Sequence, residues 1–391
     1  AGITDIYVPS ENTAEASVVD GITVYPAENL KKLVEHLRGG TQIPPAERKT
    51  FNGDIDCENT GILDFSDILG QEFAKRAIEV AVSGGHNILL IGPPGSGKSM
   101  LAKRISTILP DMTFEEALET TKIYSVAGLL SSDSGIIKQR PFRSPHHTMS
   151  SVSLAGGGAF PKPGEISLSH NGVLFLDELP EFNKNVTETL RQPLEDGNIT
   201  ISRASGRYVF PSRFMLVCAM NPCKCGYYGS HRKQCTCSDT ERKKYLSRIS
   251  GPLLDRIDIQ IEVPVINYKE ISSAVPSESS ADIRKRVVAA RNFMKRRCEE
   301  TDRKYSDSDK AYPLFKNADM TPSQIRRYCK MSPEADTLLE AAYEKLQLSG
   351  RGHDRILRVA RTIADMSECT IIEKEHIAEA IHFRTLDRPY W

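Results

Sequence analysis

The sequence has no long hydrophobic run, no net charge and only one tryptophan. None of its apolar runs approaches the roughly 18 residues that a membrane helix needs, so we expect no membrane partner. Lysine plus arginine and aspartate plus glutamate both number 51 among 391 residues. Any binding to nucleic acid must therefore come from local basic patches. No secretory signal is visible at the start, and the sequence contains no internal repeat or low-complexity tract.

Cysteine is also scarce, and its distribution is uneven. The nine cysteines form an odd count, and four of them fall between residues 223 and 237. A metal site in a reducing cytoplasm fits this distribution better than a disulfide framework, so we expect a cytoplasmic protein. The first residue is Ala1, from which we expect the chain to be a fragment.

The most informative segment reads GPPGSGKS and fits the P-loop pattern G-x-x-x-x-G-K-[ST]. A buried strand is predicted over 87–91 before it, and a helix over 100–109 after it. A glycine-rich turn between a strand and a helix lets backbone N–H groups surround a phosphate chain. Lys98 would reach the β- and γ-phosphates and Ser99 would hold Mg²⁺, so we predict a nucleoside triphosphate site. Its predicted residues are Gly92, Pro93, Pro94, Gly95, Ser96, Gly97, Lys98 and Ser99.

A second apolar strand, predicted over 172–176, ends in Asp177 and Glu178. After a P-loop, this pattern is typical of a Walker B strand, in which Asp177 takes Mg²⁺ through water and Glu178 polarises the attacking water. A third apolar strand ends in Asn221. Asn221 could orient the attacking water or could be an ordinary turn residue before Pro222. Both interpretations stay open because the sequence does not give the order of the strands in the sheet.

Two groups of arginines are candidates for contacts with the triphosphate. Arg256 lies between Asp255 and Asp258, and it is either a salt-bridged surface residue or a finger supplied to the nucleotide of a neighbouring subunit. A helix predicted over 353–366 has four arginines on it or just before it. One of these could reach back to the phosphates, or the four could form a solvated basic face. They are Arg351, Arg355, Arg358 and Arg361.

Strands and helices alternate in the middle of the chain, which predicts an α/β fold with a parallel sheet covered by helices on both faces. We place this core at 64–266, with one linker at 41–63 and another at 267–281. From 282 to 391 the apolar residues recur at helical spacing, so we expect a small all-helical domain. Residues 1–40 contain two short predicted strands and a helix, and they read as the end of a preceding unit.

The four clustered cysteines, Cys223, Cys225, Cys235 and Cys237, form two C-x-C pairs. Thiolates at this spacing predict a tetrahedral Zn²⁺ site, with His231 as an alternative ligand. A site closed by four ligands has no open position, so we expect it to be structural. The same span is rich in basic and aromatic residues, which can bind phosphates and stack bases. These are Lys224, Tyr227, Tyr228, Arg232, Lys233, Arg242, Lys243, Lys244 and Tyr245.

A β-hairpin is predicted over 197–212, with Arg203 and Arg207 near its tip. These arginines could meet phosphates in a channel, or the tip could simply be solvated. The helix predicted over 282–298 adds seven further cations, although charge runs usually mark a solvated face. They are Arg284, Lys285, Arg286, Arg291, Lys295, Arg296 and Arg297.

The separation between the P-loop and Asp177 is long for a bare P-loop domain, so we expect an insertion there. Residues 140–170 contain the glycine, proline and histidine residues that are typical of loops. His146 and His147 could suggest a metal, but no acid or cysteine lies nearby at ligand spacing. We therefore expect a structural hydrogen-bonding role for this pair.

Taken in order, the motifs GPPGSGKS, GVLFLDE, AMNPC and LLDRIDI resemble those of an AAA+ ATPase. The sequence between these motifs resembles the magnesium-chelatase-like branch of that class. It contains RPFRSPHH at 140–147, PGEISL at 163–168 and LRQPLE at 190–195. NPCKCG at 221–226 narrows the resemblance to the ComM/YifB competence group. The resemblance extends over the whole chain, and motifs of this length make it specific.

The resemblance implies particular roles for residues that the patterns alone leave open. Asn221 becomes the sensor 1 residue, Arg256 the arginine finger and Arg358 the sensor 2 residue. The segment DILGQ would lie against the adenine of ATP through Ile68 and Gln71.

The resemblance also implies an assembly and an activity. Such proteins form hexameric rings with nucleotide at each subunit boundary, and like ring helicases they drive branch migration during recombination of transforming DNA. The expected cofactors are ATP, Mg²⁺ and structural Zn²⁺, and the expected partners are branched or single-stranded DNA and further copies of the chain. Residues 140–170 would face the ring channel, and residues 1–40 would be the tail of a Lon-protease-like domain.

Two other functions are compatible with the sequence. The chain could be an ATPase subunit that remodels a partner protein, as in insertion of Mg²⁺ into a tetrapyrrole. It could also be a regulatory nucleotide-binding module without turnover. The cysteine cluster and the basic loop favour the DNA motor over the first of these, and intact Lys98, Asp177 and Glu178 count against the second.

Overall fold

The chain has three parts in sequence: a small N-terminal unit, an α/β core and a helical domain. The computed structural model describes residues 2–17, 19, 21–47, 63–130, 135–158, 161–203, 206–229, 233–266, 277–304 and 316–384. His231, Arg232 and most of both predicted linkers lie outside the described residues.

The N-terminal unit contains the two strands and the helix that the sequence predicts there. Its strands, Asp5–Pro9 and Thr23–Ala27, pair in parallel. The helix Leu30–Leu37 begins where the Asn29 side chain accepts a hydrogen bond from the Lys32 backbone N–H at 2.9 Å. The assignment of this unit as the tail of a Lon-protease-like domain stays a prediction.

The core is built on one five-stranded sheet in which all the strands are parallel. Its three central strands are buried on both faces, which explains why their sequences are continuous apolar runs rather than alternating ones. This arrangement confirms the predicted α/β fold. From one edge to the other, the strands are Ile259–Glu262, Ile88–Ile91, Met215–Met220, Val173–Leu176 and Phe142–Arg143.

Helices cover both faces of this sheet and bury its side chains in two separate layers. The division is visible within one strand, because Val173 and Phe175 belong to one apolar cluster whereas Leu174 and Leu176 belong to the other. The first cluster continues into the helical domain, so core and helical domain share buried surface. The core helices are Glu72–Gly84, Lys98–Ile108, Phe114–Ala127, Ser151–Ala155, Glu165–Leu168, Lys184–Glu188, Arg191–Asp196, Asp239–Leu246 and Gly251–Leu254.

Two small antiparallel hairpins lie beside each other in the core. The longer one, Asn198–Arg203 with Gly206–Pro211, confirms the predicted hairpin. The shorter one, Gly156–Gly157 with Lys162–Pro163, lies within the predicted insertion. The two hairpins are in contact, because the first glycine of the shorter one packs against the Ile201 side chain.

The helical domain, called the lid below, comprises the described residues between 280 and 384. A buried ion pair between Arg297 and Asp365, with hydrogen bonds of 2.8 and 2.9 Å, ties its first helix to its fourth. Its helices are Ser280–Lys304, Pro322–Tyr328, Pro333–Lys345, Gly350–Met366 and Lys374–His382. The predicted all-helical domain is therefore confirmed. Within the described ranges, no helix combines the length and the apolar character that crossing a membrane requires.

Candidate functional site

The residues predicted to bind the triphosphate follow the carboxyl ends of three adjacent strands. Because the strands are parallel, the loops after them meet where the strands end. We call this side of the sheet its carboxyl edge, and the side where the strands begin its amino edge. The strand Met215–Met220 lies between the P-loop strand (Ile88–Ile91) and the Walker B strand (Val173–Leu176). Asn221 therefore lies between the P-loop and Asp177, an arrangement that could not be derived from the sequence.

The P-loop needs its glycines for two different reasons. Gly95 and Gly97 have φ angles of 76° and 88°, in the left-handed region that side chains rarely adopt. Gly92 is needed for space, since a Cβ there would lie 2.2 Å from the Val263 carbonyl oxygen. The helix begins at Lys98, so the N–H groups of its first turn have no acceptor within the helix and can bind an anion.

Lys98 is buried, and its ammonium group lies inside the P-loop. Nζ donates to the carbonyl oxygens of Gly92 at 2.7 Å and Pro93 at 2.9 Å, and it lies 3.4 Å from Oδ1 of Asn221. Burial lowers the pKa of Lys98, while the negative charges of the two acids after the Walker B strand act to raise it. A phosphate oxygen would give this buried cation a charged acceptor in place of neutral carbonyl groups.

The two predicted magnesium ligands contact each other. The Ser99 hydroxyl donates to Oδ2 of Asp177 at 2.6 Å, and Oδ1 of Asp177 accepts from the Glu178 backbone N–H at 3.0 Å. Hydroxyl and carboxylate oxygens are the hard ligands that Mg²⁺ prefers, and Mg²⁺ usually keeps several waters as well. These side chains therefore fit Mg²⁺, although their role as its ligands stays a prediction.

Glu178 begins the turn Leu179–Glu181 with a φ of 53°, a left-handed value that is uncommon outside glycine. Its side chain is 55% exposed, and Nδ1 of His147 lies 3.4 Å from its Oε2. The structural role expected for the histidine pair fits His146, whose Nδ1 lies 2.9 Å from the Thr148 hydroxyl. His147 instead faces the predicted catalytic acid, a position that sequence reasoning missed.

The contact between His147 and Glu178 is a consequence of sheet pairing. The strand Phe142–Arg143 pairs in parallel with the Walker B strand, so the segments that follow both strands leave the same edge of the sheet. A two-residue strand has no usable periodicity, so the sequence gives no signal for it.

The segment predicted to lie against the adenine is found beside the P-loop. Gln71 has a φ of 60° and donates through Nε2 to the carbonyl oxygens of Pro264, at 2.5 Å, and Ser96, at 3.4 Å. Ile68 is buried. This position is compatible with the adenine contact that the resemblance implies, which stays a prediction.

Arg256 lies at the amino edge of the sheet, where the strands begin, whereas the P-loop lies at the carboxyl edge. It precedes the strand Ile259–Glu262, whose first residue pairs with Ile88 at the start of the P-loop strand. One four-residue strand, about 13 Å long, therefore separates Arg256 from the phosphate site of its own chain. Its guanidinium contacts the Glu195 carboxylate and the Pro252 carbonyl oxygen.

The lid arginines do not contact the P-loop through any of their described hydrogen bonds. Arg358, the predicted sensor 2 residue, donates through Nη1 to the Ala318 carbonyl oxygen at 3.0 Å. Arg355 and Arg361 are buried, so the expected alternative of a solvated basic face is wrong for these two residues. Arg355 pairs with Asp255, which lies next to the predicted finger.

The four clustered cysteines meet in space. Their sulfur atoms all lie within 4.8 Å of one another, with Cys223 Sγ 3.3 Å from Cys225 Sγ and 3.7 Å from Cys235 Sγ. Burial acts to raise the pKa of the Cys225 thiol, but hydrogen bonds from the backbone N–H groups of Tyr227 and Thr236 and from neighbouring thiols bring it down to about 5. The cluster therefore suits a thiolate-binding metal, and Zn²⁺ as that metal stays a prediction.

The segment that carries these cysteines spans residues 222–246, and its described residues, 222–229 and 233–246, include contacts with the P-loop. Gly226 has a φ of 85°, and a Cβ there would lie 2.7 Å from Cδ of Pro94. At the end of the segment, the buried Tyr245 hydroxyl accepts a hydrogen bond from the Asn221 backbone N–H. We call residues 222–246 the cysteine segment; it therefore supports the phosphate loop and the predicted sensor 1 residue together.

The basic residues that could bind nucleic acid are used in different ways. On the long helix Ser280–Lys304, five of the seven bond to partners within the chain, although some of these pairs are exposed. The five pairs are Arg284 with Asp111, Lys285 with Asp282, Arg286 with Glu79, Arg291 with the Val82 carbonyl and Arg297 with Asp365. In the cysteine segment, Arg242 lies 3.9 Å over the Tyr228 ring. On the longer hairpin, Arg207 is exposed.

The AAA+ class of P-loop proteins is defined by a parallel sheet with a P-loop at the carboxyl ends of its strands, acids after the second strand along from the P-loop strand, and a helical domain beyond. Residues 64–271 match the family model for magnesium chelatase, subunit ChlI, and residues 277–384 match the model for the C-terminal part of that subunit. The chain therefore belongs to the magnesium chelatase ChlI family.

Within this family the chain is similar to the ComM and YifB proteins. It is 42% identical over 385 residues to YifB of Escherichia coli, covering 98% of this chain and 71% of that protein. It is also 42% identical over 388 residues to the competence protein ComM of Haemophilus influenzae, covering 98% of this chain and 72% of that protein. The magnesium-chelatase 67 kDa subunit of Chlorobaculum parvum is 28% identical over 167 residues, covering 41% of this chain and 24% of that protein. These similarities confirm the resemblance inferred from the motifs.

Proposed function

We propose that the chain is an ATP-hydrolysing motor subunit that acts on DNA. The observation that carries the ATPase part is the convergence of Lys98, the Ser99–Asp177 pair and Asn221 at one edge of the sheet. Polar groups that hold phosphate, coordinate a divalent cation and orient water are the parts that phosphoryl transfer requires.

Each group has a separate task in this proposal. Lys98 exchanges its carbonyl acceptors for oxygens of the β- and γ-phosphates, and the free N–H groups of the P-loop bind the same phosphates. Glu178 accepts a hydrogen bond from the attacking water and polarises it, and Asn221 orients that water. Mg²⁺ bound by Ser99 and Asp177 would supply charge neutralisation at the β- and γ-phosphates.

The rest of the site would come from another copy of the chain. Arg256 lies at the sheet edge away from its own P-loop, so it can reach a triphosphate only in a neighbouring subunit. A head-to-tail interface that repeats this contact generates a ring when the rotation between subunits closes. We therefore propose a ring, hexameric as in the resembling proteins, in which Arg256 stabilises the transition state. Arg358 would reach the phosphates when bound nucleotide draws the lid toward the P-loop.

DNA is the substrate that the exposed features favour. The longer hairpin carries the exposed residues Arg207, Tyr208 and Val209, and the cysteine segment carries the exposed lysines Lys224 and Lys233. Cations beside apolar and aromatic groups can follow a phosphate backbone and stack on bases. The similarity to a protein named for competence supports recombination of transforming DNA as the process, and we propose ATP-driven branch migration in the cytoplasm.

We also propose that the cysteine cluster holds a structural Zn²⁺. A tetrahedral site with Zn–S bonds of about 2.3 Å has sulfur–sulfur separations of about 3.8 Å. The separations of Cys225 from Cys223, 3.3 Å, and from Cys235, 3.6 Å, are close to this value. Cys237 completes the set and accepts from the Cys225 backbone N–H. Four sulfur ligands leave no open position, so the ion would hold the cysteine segment in shape.

The deciding experiment is the ATPase activity of the purified chain with and without four-way-junction DNA. We expect the junction to stimulate hydrolysis, and we expect the stimulation to fall steeply as salt rises. K98A, which removes the phosphate-binding cation, shows how much activity comes from contaminants. Stimulation only by a partner protein would favour a remodelling ATPase instead, and absence of hydrolysis under all conditions would reject the motor.

A matched pair of variants tests the DNA contacts themselves. R203A/R207A removes the hairpin cations, and it should lower stimulation by DNA while leaving the KM for ATP unchanged. R326A/K330A removes two exposed lid cations and should leave stimulation intact. Equal effects of the two double variants would show that the hairpin has no special role.

A further inference from the structure

The predicted finger residue belongs to a short segment that the lid holds at both ends. We call residues 254–258 the finger segment. From the lid helix Gly350–Met366, Arg355 donates through Nη1 to the Leu254 carbonyl oxygen at 3.3 Å and through Nη2 to the Asp255 carboxylate at 3.2 Å. Arg355 itself is buried, whereas its Asp255 partner is partly exposed.

The other end of the finger segment is held from the end of the lid. Arg384 is buried and donates through Nη1 to the carbonyl oxygens of Ile257 at 3.0 Å and Asp258 at 3.2 Å. Next to it, the Phe383 carbonyl oxygen accepts from the Gln260 backbone N–H at 2.7 Å. Lid residues therefore bond to the chain on both sides of the finger.

His86 makes a third link between the finger segment and the lid. It is fully buried, with Nδ1 3.0 Å from Oδ2 of Asp258 and Nε2 2.8 Å from Oγ1 of Thr362. Because an ionised carboxylate only accepts hydrogen bonds, Nδ1 donates to Asp258. The link has no spare room, since a Cβ on Gly84 would lie 2.3 Å from His86 Nε2 and 2.4 Å from Thr362 Oγ1.

The link continues to the backbone of both predicted phosphate-sensing arginines. The Thr362 hydroxyl donates to the carbonyl oxygen of Arg358, one turn earlier on the same lid helix, at 3.0 Å. On the core side, Asn87 follows His86 and donates through Nδ2 to the carbonyl oxygen of Arg256 at 2.9 Å. Polar contacts, together with the peptide bond between His86 and Asn87, therefore join the backbone of the predicted sensor 2 residue to the backbone of the predicted finger.

We infer that the lid positions the arginine finger through the finger latch, which we define as His86, Asp258, Thr362, Arg355 and Arg384. The inference rests on the proposed function, in which the lid responds to the nucleotide of its own subunit while the finger acts on that of a neighbour. ATP bound in one subunit then sets the rate of hydrolysis in the next. These latch residues are positioning residues, because they touch no substrate themselves.

The test uses assemblies mixed from two variants of the full chain. An E178Q subunit binds ATP and supplies a finger but hydrolyses about 10²-fold more slowly, whereas an R256A subunit hydrolyses efficiently only where its neighbour supplies a finger. Activity of the mixture therefore comes almost entirely from the finger of the first acting on the site of the second. T362V, which keeps the shape of the side chain but removes the hydroxyl that meets His86, is placed in one kind of subunit at a time.

We expect T362V in the E178Q subunit to lower kcat of the mixture by about tenfold with KM unchanged, since misplacing a group by about 1 Å costs that much or more. In the R256A subunit the same change should cost several times less. T362S keeps the hydroxyl and should restore the rate. T337V makes the same substitution at an exposed lid threonine, and it should have no effect in either subunit.

A second variant guards against a folding defect in T362V. D255N removes the charge that pairs with Arg355, and Asp255 is 45% exposed, so the fold should tolerate it. Equal losses in both subunits, or a loss in the R256A subunit alone, would overturn the inference because the latch would then act on its own site. A parent mixture without activity would instead reject the finger role of Arg256, and the proposed ring mechanism would fail together with the inference.

Discussion

The two edges of the core sheet are constructed in different ways. At the carboxyl edge, Lys98 and Asn221 lie within a few residues of a strand end and contact each other. At the amino edge, Arg256 is placed by Arg355 and Arg384, which bond to its segment across 101 and 127 positions of the chain. The predicted phosphate site can thus be encoded in short local motifs, whereas the position of the predicted finger depends on how a separate domain packs on the core.

Replacing the predicted finger, Arg256, should have the largest effect on ATP hydrolysis. We expect R256A to lower steady-state hydrolysis by about 10³-fold or more, because a finger stabilises charge that develops only in the transition state. Binding of an ATP analogue to isolated subunits should be unchanged, since Arg256 lies at the far edge of its own sheet. R191A, at an exposed ion pair, is the control and should retain activity. Weaker analogue binding by R256A would place the residue in its own site.

A substitution at the carboxyl edge should have the next largest effect. E178Q should lower hydrolysis by about 10²-fold while retaining ATP, because the amide cannot polarise the attacking water. Retention of ATP and its turnover can be measured in one single-turnover experiment. E181Q changes the same chemical group three residues later, at an exposed pair with Arg248, and should hydrolyse normally. Full turnover by E178Q would show that Glu178 does not polarise the attacking water.

Much of this contrast follows from what a sequence can and cannot encode locally. The strand ends, the hairpin and the lid were predicted correctly because each produces a local pattern of apolar, glycine or turn residues. The strand order was not predictable, because it depends on which strands pair across long separations. The same limit applies to Arg284 with Asp111 and to Gly226 against Pro94, where neither partner carries a sign of the other.

Removing the predicted metal should give a smaller effect that reaches the carboxyl edge. C235S should lose the one zinc per chain that we expect, and it should lower the unfolding temperature by about 5 °C or more. Because Gly226 packs against Pro94, we also expect the KM for ATP to rise. C369S changes a partly exposed cysteine outside the cluster and should alter none of these quantities. A wild-type protein purified under reducing conditions without zinc would contradict the site.

The smallest effect should come from His147, which contacts Glu178 from the neighbouring strand end. An exposed pair of this kind is worth at most about 1 kcal/mol, which corresponds to about fivefold in rate. Because the contact restrains the carboxylate that must face water, we expect H147A to raise basal hydrolysis within that limit. H382A, at an exposed histidine of the lid, should leave the rate unchanged. A large decrease in H147A would mean that the histidine assists turnover.

The separation of Lys98 and Arg256 on opposite edges has a consequence for counting complete sites. If each finger serves only the next subunit, an open row of subunits always has one triphosphate without a finger at one end and one idle finger at the other. Closing the row joins these two half-sites, so the final subunit adds two working sites where each earlier addition gave one. Activity per chain should then reach its full value only at closure, because every open row has one complete site fewer than it has subunits.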